Sequence, residues 1–120
     1  MDVGIDIVEI PRIARSVRNS RFLKRVFTAD EVAYCRARKN SAQHFAVRFA
    51  AKEAVWKAVS GALSDRRRGR PLLHRDIQVR NLADGKPEVV FPRRFSRLAK
   101  RVSISLSHGR EYAVAMALFQ

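Results

Sequence analysis

Asp6 lies in VGIDIVEI, residues 3–10, and Glu53 in RFAAKEAVWKAV, residues 48–59. Each is a carboxylate among apolar neighbours, a placement that is costly unless the charge is paired or bound to a metal. Brought together, two such groups would form a hard-oxygen site suited to Mg2+ holding a phosphate-bearing substrate, with water filling the open positions. Lys57 follows Glu53 by one helical turn, so the pair shares a face with Phe49, while Lys52 and Trp56 share another. The plain alternative is an exposed Glu–Lys pair contributing about 0.3–0.5 kcal/mol, beside an Asp facing solvent at a strand end. Alanines throughout the helix and the flanking Phe45, Phe49 and Trp56 argue for burial, and a buried Glu53 needs a cation. A third candidate, His108, sits in SLSHGREY directly after a strand whose outward positions are serines, at a turn that can expose and hold its ring. His44 and His74 lack such a setting and read as structural or surface residues. Neither a Walker-type loop nor a dinucleotide fingerprint is present.

The elements that must carry these residues follow from periodicity. Residues 3–10 read as a mostly buried strand that delivers Asp6 near a rim. Pro11 suits the start of a helix in which Ile10, Ile13 and Val17 form one face and Arg12, Arg15 and Arg18 another. Asn19 and Ser20 break that pattern before Phe22, Leu23, Val26 and Phe27 resume it. Thr28-Ala-Asp-Glu31 is a capping box and predicts a helix to about Lys39. The longest helix is predicted over Ser41 to Val59, stopping at Gly61. SDRRRGRP, residues 64–71, is a polar basic loop, the best candidate for a mobile segment and most simply a solvated charge run. Ile77 and Val79, the Asp84-Gly85 turn and Glu88 to Phe91 predict a hairpin. Arg93 to Lys100 is a short basic helix or loop. Val102, Ile104 and Leu106 alternate with Ser103, Ser105 and Ser107, and Tyr112 to Leu118 supplies a partner strand. One strand, then helices, then several strands, with no βαβ alternation, predicts an α+β fold in which an antiparallel sheet packs against a long central helix.

The 120 residues fit one domain, 1–120, burying roughly two thirds of the unfolded surface. Apolar residues make up 47% of the chain, enough for a core despite the charge. Against 11 acidic residues stand 25 Lys and Arg, a net +14, which predicts a polyanionic or acidic partner. Cys35 is the single cysteine, so neither an internal disulfide nor a CxxC metal site exists, and a reducing, cytoplasmic setting fits. MDVGIDIVEI carries acids where a signal peptide needs a basic region, and the longest apolar run, Ala113 to Phe119, is far short of the ~20 residues that span a bilayer. No membrane role is expected.

Taken in order, VGIDIVEI, RFAAKEAVWKA and SISLSHGREYAVA resemble three signature blocks of the holo-acyl-carrier-protein synthases, which are 4'-phosphopantetheinyl transferases, and the resemblance spans essentially the whole chain. It implies transfer of the phosphopantetheine arm of coenzyme A to a serine of apo acyl carrier protein, with release of adenosine 3',5'-bisphosphate and a requirement for Mg2+. By motif, Asp6 and Glu53 become the metal ligands. Glu53, Lys57 and His108 become the catalytic residues, with Lys57 toward the leaving phosphate. The base for the acceptor serine is left between Glu53 and a metal-bound water. Arg48 and Lys57 are implied as coenzyme A contacts, together with Gly85, Lys86, Pro87, Ser107 and His108. The first helix resembles the family's docking surface for its acidic carrier protein, which implies contacts from Arg12, Arg21, Phe22 and Arg25 with Phe49 nearby. Rim arginines of this kind mainly raise association rate and its salt sensitivity. A homotrimer with sites between subunits is also implied. Two departures bear on coenzyme A: Val59-Ser60-Gly61-Ala62 replaces a glycine-rich turn after Lys57-Ala58, and Gly109-Arg110 replaces the residues that usually follow His108.

The rival reading is a small basic nucleic-acid-binding module, supported by charge and by the arginines of 66–70. It lacks an aromatic RNP-like strand, zinc spacing and a helix-turn-helix, and leaves Asp6 and Glu53 without a purpose. A scaffold that binds the carrier without catalysis would require a broken metal site, and both carboxylates are in place.

Overall fold

The computed structural model describes residues 1–63 and 72–120, so the basic loop of 64–71 lies outside the described residues. Strand β1 (Asp2–Glu9) leads into three short helices, α1 (Ile10–Ser16), α2 (Ser20–Val26) and α3 (Ala29–Arg36), and then α4 (Ser41–Val59). A 3-10 turn at His74–Asp76 precedes the hairpin of β2 (Gln78–Asn81) and β3 (Pro87–Val90). After α5 (Ser96–Ala99) come β4 (Val102–His108) and β5 (Tyr112–Phe119). Among the described residues the antiparallel strands form two sheets, one ordered β1-β5-β4 against α4 and one the predicted hairpin of β2 and β3.

Local chemistry sets most of the boundaries. The Asn19 side chain accepts from the amides of Arg21 and Phe22, which ends α1 and starts α2. At Thr28 the capping box forms in both directions, Glu31 Oε1 accepting from the Thr28 amide at 2.9 Å and Thr28 Oγ1 from the Glu31 amide at 3.2 Å. Helix α3 stops at Arg36, short of Lys39, whereas α4 has the predicted bounds Ser41–Val59 and a separate 3-10 turn over Ser60–Leu63 follows it. Gly85 turns the hairpin with φ of +88°, a conformation that favours glycine.

The core is the contact between α4 and the inner face of β1, β5 and β4. Ala113, Ala115, Ala117 and Phe119 of β5 are buried against Ala46, Ala50, Ala54 and Ala58 of α4 with their neighbours. Gly4 explains why alanines dominate: a Cβ there would stand 1.9 Å from the Ala54 carbonyl oxygen, so β1 lies directly on the helix backbone. Gly4, Asp6 and Val8 share that inner face, because side chains alternate along a strand.

The same alternation corrects the expectation of a mostly buried first strand. Val3, Ile5 and Ile7 point outward and are 58, 60 and 61% exposed. They lie beside exposed Met116 and Tyr112 of β5, while β4 contributes its serines to that face. No helix among the described residues is long and apolar enough to cross a membrane.

Candidate active site

Asp6 reaches the site because Gly4 seats β1 on α4, and Lys57 meets it from the last turns of that helix. The Lys57 ammonium donates to the Ile5 carbonyl at 3.0 Å and stands 3.4 Å from Asp6 Oδ1. Asp6 Oδ2 is buried and has no partner. Burial raises the Asp6 carboxyl above its ordinary 3.8, Lys57 opposes the rise by charge and hydrogen bond, and the nearby Glu53 carboxylate adds to it. An ionised carboxylate with an orphaned oxygen, repelled by a second carboxylate, is a place where a divalent cation would remove a penalty. Among the described residues no three His, Cys, Asp or Glu side chains cluster for a metal. Two carboxylates plus substrate oxygens and water suit Mg2+, which is rarely enclosed by protein ligands alone. The donor set therefore fits the expected ion.

Glu53 is held from the other side. Its Oε1 pairs with His74 Nε2 at 2.9 Å, and the His74 ring lies nearly parallel to that of Phe49, at 11° with centroids 6.2 Å apart. Phe49 in turn packs on Phe22 of α2 at 5.9 Å. A row of rings thus connects Glu53 to the helix that carries exposed Arg21 and Arg25, and Arg12 is exposed on α1 close enough to act on Asp6.

The implied coenzyme A contacts fall into two further groups. Arg48 is buried; its Nη2 donates to Asn81 Oδ1 at 2.7 Å, and its guanidinium lies 4.1 Å over the Tyr34 ring. Asn81 also donates to the Gly85 carbonyl at 3.0 Å, so one bridging amide links Arg48 to the Gly85-Lys86-Pro87 turn. The Arg48 Nε is buried without a partner, beside a hollow of about 260 Å³ lined by Tyr34, Gln78, Arg80 and Asn81. Ser107 and His108 are exposed at the end of β4, with the His108 ring against the Gln43 amide. There an open depression of about 850 Å³ is lined by Lys39, Asn40, Ser41, Gly109 and Arg110. Gln43 and Glu53 stand on the same helix about 15 Å apart by its rise of ~1.5 Å per residue. Within one chain, then, Asp6, Glu53 and Lys57 come together, Arg48 joins the hairpin turn, and His108 stays apart from both.

Two participants had no sequence signal. His74 carries no motif and meets Glu53 only because the 3-10 turn at His74–Asp76 lies against α4. Lys52, adjacent to Glu53, points away and is fully buried. Its ammonium donates to Glu31 Oε1 at 2.7 Å, the His74 carbonyl at 3.0 Å and the Ile77 carbonyl at 2.7 Å. Burial lowers the Lys52 pKa, with the Glu31 carboxylate opposing. Glu31 completes the set by accepting from the Val79 amide, so one buried ion pair ties α3, α4 and β2. His44 packs edge-on against Tyr34, away from Glu53.

The family model of the 4'-phosphopantetheinyl transferase superfamily matches residues 2–117. The chain is 39% identical over 127 residues to a holo-[acyl-carrier-protein] synthase of Koribacter versatilis, covering all of this chain and 98% of the relative. It is 43% identical over 126 residues to one of Moorella thermoacetica, covering 100% and 94%. The crystal structure of a holo-(acyl-carrier-protein) synthase from Bacillus anthracis in complex with CoA (3',5'-ADP) superposes with a TM-score of 0.74 at 32% identity, covering 98% of this chain and 94% of that one. The Helicobacter pylori enzyme in complex with coenzyme A gives 0.78 at 26% identity, covering 98% and 99%.

Proposed function

This chain belongs to the 4'-phosphopantetheinyl transferase superfamily and transfers the phosphopantetheine arm of coenzyme A to a serine of apo acyl carrier protein; we propose that it does so where β1 meets the C-terminal half of α4. The observation that carries this placement is the buried, unpartnered Asp6 Oδ2 on the same side as Glu53 and Lys57. In the reaction the carrier serine oxygen bonds to the phosphorus nearest the pantetheine as the bond to adenosine 3',5'-bisphosphate breaks. Asp6 and Glu53 would hold Mg2+, which would supply neutralising charge to the pyrophosphate. Lys57, half-exposed and already turned toward Asp6, offers its ammonium to the leaving phosphate. Arg48, anchored by Asn81 and Tyr34, binds coenzyme A phosphates beside the Gly85-Lys86-Pro87 turn, and Ser107 and His108 bind the nucleotide end. Arg12, Arg21 and Arg25, with Phe22 and Phe49, receive the acidic carrier protein.

The same proposal includes a homotrimer. His108 stands at the end of β4 against Gln43, which is far along α4 from Glu53 in a single chain, and the outer sheet face leaves Val3, Ile5 and Ile7 exposed, a surface suited to association. Neighbouring subunits would each lend one group to a shared cleft. One domain over 1–120 and a cytoplasmic setting, consistent with a lone buried Cys35, complete the reading.

Intact-mass spectrometry of an apo carrier protein incubated with the enzyme, coenzyme A and Mg2+ tests it. The expected result is a gain of one phosphopantetheine arm, abolished by excess chelator and by Glu53→Ala. No gain with several carrier proteins would overturn the assignment.

A further inference from the structure

We propose that His74 is a positioning residue that holds the Glu53 carboxylate by one oxygen, so that the other is presented to Mg2+ beside Asp6. The inference rests on the reading of Asp6 and Glu53 as the metal-holding pair. Glu53 is partly exposed, at 29% of its side chain, and a glutamate in that state samples several rotamers. His74 removes this freedom through a bond of 2.9 Å to Oε1.

The imidazole can act this way because it is itself fixed. Its ring is stacked on Phe49, which leaves the bond to Glu53 along the ring edge. Its main chain sits in a 3-10 turn closed by the Asp76 amide to the Leu73 carbonyl at 2.9 Å and the Ile77 amide to the His74 carbonyl at 3.1 Å. Asp76 Oδ2 accepts from the Leu73 amide at 3.0 Å, bracing the same turn. The turn is then tied to α4 by the buried Lys52 ammonium, which grips the carbonyls of His74 and Ile77. Lys52 and Glu53 are consecutive. The residue next to the ligand therefore anchors the segment that returns a histidine to it, an outer-shell arrangement of the kind that orients ligating carboxylates in metal sites.

The test compares His74→Phe, which keeps a ring to stack on Phe49 and removes the N–H, with His74→Gln, which removes the ring and restores a donor near the Nε2 position. Each is titrated with Mn2+ in the presence of saturating coenzyme A, free ion being read by electron paramagnetic resonance, alongside kcat, KM and thermal melting. With the variants folded, His74→Phe is expected to weaken Mn2+ binding about 10-fold, the usual effect of losing an outer-shell partner, and to lower kcat more than it raises the KM for carrier protein. His74→Gln should recover most of the Mn2+ affinity. Wild-type Mn2+ affinity in His74→Phe, or equal loss in two folded variants, would overturn the positioning role while leaving the transferase standing. A wild-type enzyme that neither binds Mn2+ nor modifies a carrier would remove the underlying reading, and His74 with it.

Discussion

Asp6 is a residue whose folded environment works against its own charge. Its raised pKa means that the folded chain holds the proton more tightly than the unfolded chain. The stability this contributes is full below about pH 3.8 and is lost as pH rises through the raised folded value. At neutral pH the ionised Asp6 is thus a liability to the metal-free protein. Asp6→Asn is expected to raise the melting temperature measured in chelator while lowering transfer at least about 100-fold, since a ligand is lost outright. A lower melting temperature in chelator would mean that the Lys57 contact outweighs burial. Much of this residue was legible from sequence: an Asp inside an isoleucine strand asks for a partner. Its neighbour across the site was less so. Glu53 could be singled out from its helix, but nothing local indicates that His74, 21 positions away, closes on it. Residue pairs of that separation are created by tertiary folding and leave no periodic trace.

At the scale of elements, the α4–β1 contact governs where the two carboxylates meet. Gly4→Ala would force a methyl to within 1.9 Å of the Ala54 carbonyl oxygen unless strand and helix separate. The expected cost is at least about 1–3 kcal/mol, read as a lower urea midpoint, together with reduced activity because Asp6 rides on the displaced strand. An unchanged midpoint would show that the contact relaxes freely. Elements bounded by local chemistry were the readable ones: the Thr28–Glu31 box, the start and length of α4, and the Gly85 turn all depend on residues a few positions apart. The facing of β1 was not readable in the same way. Isoleucines suggest burial, yet a strand that must lie against helix backbone turns its glycine inward and leaves Val3, Ile5 and Ile7 outside. The second task of Glu31, as partner of Lys52, was hidden for the reason that hid His74.

For the whole molecule, a net charge of +14 is concentrated on a partner only if particular arginines face it. Reversing Arg21 and Arg25 to Glu should lower kcat/KM for the carrier protein about 10-fold or more, flatten its dependence on salt, and leave the KM for coenzyme A unchanged. Equal loss at all salt concentrations would point to damage elsewhere. The outer sheet face makes a separate prediction. Ile5→Lys with Met116→Lys should shift the sedimentation coefficient toward that of a monomer and lower activity with it, whereas an unchanged coefficient would remove that face from subunit association. Sheet order carries one more consequence, for the sequence of folding events. Among the described residues, the strand bearing Asp6 has a single strand neighbour, β5, with Asp2 opposite Phe119, so two strands at opposite ends of the fold's element order must meet before this ladder forms. A ladder between strands so far apart in sequence carries a large loop-closure cost, so the frame around Asp6 is completed late in folding, after the locally encoded helices.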